Sequence, residues 1–235
     1  MKNRVVCIIP ARGGSKRIPR KNIKKFLDEP VISYSIRAAI SSNIFEEVFV
    51  STDDEEIAEV AKKFGANADI LRSSDSSHDN ATTADVLSEI LNYERFKNLE
   101  FICCLYPVAP LISGGLLTRA FKLLTNEKYN SILPVTEFEY PIERRLQKQS
   151  NESLIFSESQ YENTRTQDLK TYYHDAGMFY FIRVSSFKKD KKLLLNPTFG
   201  IELERTKVQD IDTLTDWKLA ELKYKLMHDT VSSGR

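Results

Sequence analysis

The chain is poor in the residues that build covalent or metal-held scaffolds. Among 235 residues there are three Cys, three His and one Trp. The cysteines, Cys7, Cys103 and Cys104, are odd in number, and two are vicinal within an apolar, strand-like run. That usage argues against a disulfide framework and a zinc site, and predicts buried thiols in a reducing cytoplasm. Long apolar runs are also missing. A membrane-spanning helix needs about 20 apolar residues in succession. The N-terminal Val5–Ile9 run is too short for a signal h-region and lacks a cleavage site. Neither an integral membrane protein nor an exported one is expected. Charge of one sign is absent too: 34 Lys and Arg against 33 Asp and Glu leave a net +1. No global field exists to hold nucleic acid or an anionic membrane, so any polyanion must be gripped locally.

What remains is ordinary globular material, 41% hydrophobic, long enough for one domain with a small insertion. The first 133 residues alternate between short apolar runs and helical spacings. Val5–Ile9, Val48–Ser51, Asp69–Leu71, Phe101–Leu105 and Ser131–Val135 read as strands. The helices between them are expected over 31–42, 53–64, 82–94 and 114–125, with Gly65 as a C-cap. This βαβ rhythm predicts an α/β fold with a mostly parallel sheet covered by helices. The rhythm breaks over 137–173, read as an insertion of short strands and loops. Met178–Ile182 resumes it as a strand. A closing helix over 213–227 places Leu214, Trp217, Ala220, Tyr224 and Met227 on one face, and the polar tail from Asp229 reads as frayed.

The segment after the first strand, Ala11-Arg12-Gly13-Gly14-Ser15-Lys16-Arg17-Ile18-Pro19-Arg20-Lys21-Asn22, carries the strongest chemical signal. Loops at strand C-termini are where open α/β sheets bind ligands. A glycine pair lets backbone amides approach an anion. Five cations, Arg12, Lys16, Arg17, Arg20 and Lys21, surround that pair, as a triphosphate cradle requires. A Walker A loop is excluded, because Ser15 separates Gly14 from Lys16. A dinucleotide-dependent oxidoreductase is disfavoured, because G-x-G-x-x-G is absent. Near the other end, Asp210 and Asp212 would point to one side of an extended segment. Two such oxygen ligands suit Mg²⁺ beside phosphates. The competing reading is helix capping, since Thr213-Leu214-Thr215-Asp216 is a capping box.

These two segments resemble the CMP-sialic acid synthetases, cytidylyltransferases that activate nine-carbon sugar acids, and the resemblance extends over nearly the whole chain. Val50–Ala58 is similar to the family's second strand and helix, and Leu71-Arg72 with Asp79–Asp85 to its base-reading segment. Two departures, Tyr106 in place of the usual Gln and Tyr173-His174-Asp175-Ala176-Gly177 before a late strand, resemble the pseudaminic acid branch. Asn163–Leu169 points the same way.

The resemblance implies a Rossmann-like nucleotidyltransferase fold and a homodimer joined through the insertion. It implies CTP and a sugar acid as substrates, Mg²⁺ on Asp210 and Asp212, and attack of the anomeric hydroxyl on the α-phosphate. Arg12 and Lys21 would contact phosphates as catalytic residues. Ala11, Gly13, Gly14, Ser15 and Lys16 would hold the triphosphate, and Asn22 the ribose or sugar region. Arg72, Ala81 and Thr82 would read cytosine. Tyr106, Arg165, Gln167, His174, Asp175 and Phe199 would line the sugar pocket. Arg165 is the first choice for the substrate carboxylate, with Arg144 and Arg145 as alternatives. No general base stands out, and His78 and His228 carry no signal. A nucleotide-sensing domain that has lost turnover is the non-enzymatic alternative.

Overall fold

The computed structural model describes residues 4–78, 80–126 and 128–232. Asp79 of the expected base-reading segment and the tail residues 233–235 lie outside the described residues. In chain order, the first half holds β1 (Val5–Pro10), β2 (Lys25–Phe26), β3 (Glu29–Pro30), α1 (Val31–Ser41), β4 (Glu47–Ser51), α2 (Glu55–Lys63), α3 (Thr83–Ile90), β5 (Phe101–Leu105) and α4 (Gly114–Asn126). The second half holds β6 (Ser131–Glu137), β7 (Leu146–Lys148), β8 (Leu154–Phe156), β9 (Tyr173–Asp175), β10 (Phe179–Arg183), α5 (Val184–Asp190), β11 (Thr198–Glu202) and α6 (Leu214–Ser232).

The central sheet has the order β11-β6-β10-β5-β1-β4, with β9 also on β6. Strands β4, β1, β5, β6 and β11 share one direction, whereas β10 and β9 run against it. The sheet is mostly parallel, as expected, and is reversed where the chain returns from the insertion. Strands buried on both faces read as continuous apolar runs, and β1 and β5 do so. Their alternate residues feed two cores. Val5, Cys7, Ile9, Phe101 and Cys103 face one side, and Val6, Ile8, Ile102 and Cys104 the other. All three cysteines are buried free thiols.

The helices end where local chemistry dictates. Asp54 caps α2 by accepting the Ile57 N–H at 3.0 Å. Gly65, at φ +91°, closes the other end, with its N–H bonded to Lys62 O and that of Ala66 to Ala61 O. Asp69–Leu71 does not form the expected strand. The ladder there is a single bridge between Asn67 and Phe49, and Asp69 instead takes the Arg95 guanidinium at 2.7 and 2.8 Å. The short α5 and β11 lie in 184–202, a stretch without a clear sequence pattern. Helix α6 continues through Ser232, past the expected start of fraying at Asp229; no Gly or Pro interrupts it. Trp217 and Ala220 are buried as predicted, but Leu214 stands 57% exposed at the first turn.

A third core fixes α6 to the basic loop. Ile18, Phe26, Val31, Ile211, Trp217 and Ala220 form it. Phe26 meets Tyr34, Trp217 and Tyr224 edge to face at 5.2, 5.7 and 5.9 Å. The β2–β3 hairpin that follows the loop is thereby clasped by the last helix.

Candidate active site

The loop after β1 folds back onto the β4–α2 turn. Ala11 N–H bonds to Ser51 O at 2.8 Å, and Gly13 N–H to Asp53 Oδ1 at 2.8 Å. A Cβ on Gly13 would lie 2.7 Å from Asp54 Oδ2, whereas one on Gly14 meets nothing within 4 Å. Glycine is therefore demanded sterically at 13 and not at 14. These contacts bear on the expected roles of four residues. The Ala11 and Gly13 amides are spent inside the protein, so the amide available for an anion is that of Gly14. Asn22 is 5% exposed and donates its amide to Arg12 O at 2.8 Å, so it closes the loop rather than reaching toward a ribose. Arg20 is taken by the carboxylates of Asp54 and Glu56 and leaves the cradle. The Arg20 hydrogen bond, joined by the Ile57 amide, holds Asp54 below the usual carboxylate range.

Beyond Arg20, at φ +55°, a 3-10 turn over Lys21–Ile23 aims Lys21 across the cleft. Its Nζ donates to Ile211 O at 2.7 Å and stands 3.6 Å from Asp212 Oδ1. Arg17 reaches the other oxygen of Asp212 at 2.8 Å. Ile211 is turned into the third core with Ile18, and Asp210 and Asp212 flank it, as the period of an extended segment requires. Burial and the charge of Asp212 push the Asp210 carboxyl up, while Lys21 opposes them. The capping box is also present: Thr213 and Asp216 exchange hydrogen bonds, and Asp216 additionally accepts the Asp212 N–H at 3.1 Å. Capping thus engages the Asp212 backbone and leaves its carboxylate to the two cations.

The expected base-reading residues come together. A cavity of about 200 Å³ is lined by Pro10, Arg12, Arg72, Ala81, Thr82 and Tyr106, with Ser76 and His78 completing its rim. Arg72 forms one wall. Its Nε donates to Ser51 Oγ at 3.1 Å and its Nη2 to Ser51 O at 2.5 Å, and burial lowers its pKa. Thr82 caps α3, accepting Asp85 N–H and donating to the Asp85 carboxylate, so its hydroxyl is largely committed. His78 is a cavity residue that sequence reasoning missed; its Nδ1 accepts the Asn80 N–H at 3.2 Å.

The expected sugar-pocket residues divide. Tyr106 borders the base cavity and meets Tyr180 edge to face at 5.7 Å. Asp175 accepts the Tyr180 hydroxyl and lies on the same side. His174, one residue earlier on β9, turns to the opposite face and packs on Phe138 at 4.9 Å. Arg165 and Gln167 are exposed on the insertion, and among the described residues their side chains bond to nothing. Arg144 and Arg145 both line a cavity of about 800 Å³ with Phe138, Tyr140, Leu146 and Thr166, and Arg145 is also engaged by Glu158 at 2.6 Å. That cavity belongs to the insertion and includes neither Lys21 nor the aspartates. Phe199 is misassigned: it sits on β11 beside Ile132, at the strand end away from the cleft, and packs on Tyr129 at 5.0 Å.

A basic glycine loop at the end of the first strand, with its Lys21 beside Asp212 and its Arg12 on the wall of a small cavity, has the parts of a nucleotidyltransferase site. The cytidylyltransferase family model matches residues 6–228, and the chain belongs to that family. It is 41% identical to a pseudaminic acid cytidylyltransferase of Campylobacter jejuni, over 98% of this chain and 99% of that one. It is 29% identical to a CMP-N,N'-diacetyllegionaminic acid synthase of Legionella pneumophila, over 97% and 99%. Among solved structures it is similar in fold to a CMP:2-keto-3-deoxy-manno-octonic acid synthetase complexed with CTP, with TM-score 0.67 at 18% identity, covering 97% of this chain and 100% of that one. Among the described residues no helix is long and apolar enough to cross a membrane.

Proposed function

We propose that the chain converts CTP and pseudaminic acid to CMP-pseudaminic acid and pyrophosphate. The observation that carries this reading is the full-length similarity to the Campylobacter enzyme; the cavity beside Arg72 and the Asp210–Asp212 pair support it. The anomeric oxygen forms a bond to the α-phosphorus, the bond from that phosphorus to the bridging oxygen breaks, and pyrophosphate leaves. The anomeric proton passes to solvent, since among the described residues no side chain in the cleft is placed as an evident base.

Such transfers are accelerated by positioning and charge neutralisation. Lys21, held by Ile211 O, meets the α-phosphate. Arg12, Lys16 and the Gly14 amide take the β- and γ-phosphates. Arg72, His78, Ala81 and Thr82 hold the base, and Tyr106 separates base from sugar. Asp210 and Asp212 fit a divalent cation: they are hard oxygen donors, and a cation would offset the burial and the Asp212 charge that push the Asp210 carboxyl up. Mg²⁺ bound there would neutralise phosphate charge.

The protein acts as a homodimer in this reading. Tyr140 (77% exposed) and Leu154 (60%) are apolar surface on the insertion, and pairing through it would bring Arg165 and Gln167 toward the partner's sugar site. Arg165 then takes the substrate carboxylate. A cytoplasmic location follows from a soluble substrate pair.

The test is pyrophosphate release with CTP and Mg²⁺, offering pseudaminic, legionaminic and N-acetylneuraminic acids separately, with mass detection of the product. Turnover of pseudaminic acid alone is expected. Turnover of another acid alone would overturn the substrate and keep the chemistry.

A further inference from the structure

The strand leaving the insertion is broken once. β9 and β10 run in the same sense along β6, at Val135–Glu137 and Ser131–Ile132 respectively. The break between them falls at Ala176-Gly177-Met178, held in place by Ala176 N–H on Pro134 O and by Tyr106 N–H on Met178 O. Asp175 closes this turn. Its Oδ1 accepts the Gly177 N–H at 2.8 Å, and its Oδ2 accepts the Tyr180 hydroxyl. Gly177 sits at φ +63°. A Cβ built on it would lie 3.5 Å from Asp210 Cγ. The turn is therefore the wall against which the Asp210 carboxylate rests.

Tyr180 is only 5% exposed, in a core cluster of apolar side chains. Phenylalanine would fill that space without the cost of burying a hydroxyl, and that hydroxyl donates to Asp175. Both oxygens of Asp175 are thereby engaged by its own chain.

We propose that Tyr180 is a positioning residue: its hydroxyl pins Asp175, which holds the 175–177 turn against Asp210 and so sets the carboxylate pair. This deepens the reading of Asp210 and Asp212 given above and rests on it. Asp175 then acts through the turn and is not a sugar ligand.

The test compares full-length wild type with Tyr180→Phe and Gly177→Ala. The readouts are Mn²⁺ binding in the presence of CTP by electron paramagnetic resonance, and separate kcat and KM values. Tyr180→Phe keeps its ring packing and is expected to weaken Mn²⁺ binding about tenfold, to lower kcat, and to leave KM for the sugar acid within about twofold. Gly177→Ala strains the same turn and is expected to give the same pattern, which decides the matter if Tyr180→Phe does not fold. A raised KM for the sugar acid with unchanged Mn²⁺ binding would make Asp175 a sugar ligand and overturn the proposal, as would no change in either. Wild type that binds Mn²⁺ yet turns over no sugar acid would overturn the proposed reaction, while the Mn²⁺ comparison would still judge Tyr180. Wild type that binds no Mn²⁺ with CTP would overturn the metal reading and this proposal with it.

Discussion

Lys21 and Asp212 face each other across the cleft, Nζ 3.6 Å from Oδ1, although one follows the first strand and the other precedes the last helix. The same Nζ holds Ile211 O at 2.7 Å. The cations that would meet phosphate and the carboxylates that would meet metal are thus one assembly, joined at Asp212 by Lys21 and Arg17.

Lys21→Ala tests whether that assembly performs chemistry or only binds. Removing a cation that acts on developing charge lowers kcat by about a hundredfold to a thousandfold. CTP affinity, shared among Arg12, Lys16 and the base cavity, is expected to fall less than about tenfold. A nucleotide-sensing domain would have no wild-type turnover to lose. Steady-state kinetics beside calorimetric CTP binding separate the two.

The two glycines of the loop are predicted to behave differently. A Cβ at 13 would press on Asp54 Oδ2 at 2.7 Å, and Asp54 cannot yield easily, since it caps α2 and holds Arg20. Gly13→Ala should cost about 1–3 kcal/mol as an overpacked contact. Gly14→Ala should change urea stability by less than about 0.5 kcal/mol. Equal effects would mean that the loop does not pack on the β4–α2 turn as described.

Most of the frame was legible because β1, β4 and β5 are continuous apolar runs and α1 to α4 keep a helical period. The reversal of β10 was not, because a strand buried on both faces reads alike in either direction. Its sense is set by the path out of the insertion. Within the site, residue type and resemblance singled out Lys21, Arg72 and the aspartates, and the fold sets Lys21 beside Asp212 and Arg72 on the cavity wall. The diversion of Arg20 was not, because Asp54 and Glu56 lie more than thirty residues away and no local pattern announces the ion pair. His78 was passed over for the opposite reason: its surroundings in sequence are polar, and only its meeting with Arg72, Ala81 and Thr82 around the cavity gives it a place. Phe199 shows the limit of resemblance where the alignment is weak.

Acid should loosen the wall of the base cavity. Burial raises the Glu89 pKa, but hydrogen bonds from Ser76, Ser73 and Tyr93 overcome this and hold it at about 2, against an ordinary 4.5. A depressed carboxylate gives stability that is complete above the unfolded pKa and is lost as pH falls through the folded one. The contribution is therefore full above pH 4.5 and gone below about pH 2, and after solvent screening is about 1–2 kcal/mol. Urea titrations of wild type and Glu89→Gln should differ by that amount at pH 6 and converge toward pH 2.

The dimer is tested at β8. Leu154 is exposed on the insertion, so Leu154→Glu removes no packing within the chain. Sedimentation should give twice the chain mass for wild type and a monomer for the variant, with an unchanged melting temperature. A monomeric wild type would remove the route by which Arg165 reaches a sugar site.

Trp217 links stability to the site more directly. Its ring packs on Phe26 at 5.7 Å, and its backbone N–H bonds to Thr213 O at 3.0 Å in the first turn of α6. Truncating such a residue leaves a cavity that the fixed hairpin and helix cannot close, so Trp217→Ala should cost about 3–5 kcal/mol. Trp217→Phe keeps most of the ring contact and should cost less. Because Asp212 immediately precedes this turn, loosening α6 also loosens the carboxylate that Lys21 and Arg17 grip. Activity of Trp217→Ala is therefore expected to fall at denaturant concentrations below its own global unfolding midpoint, whereas in wild type the two losses coincide. Coincident losses in the variant would mean that α6 is held by contacts other than the Phe26 cluster.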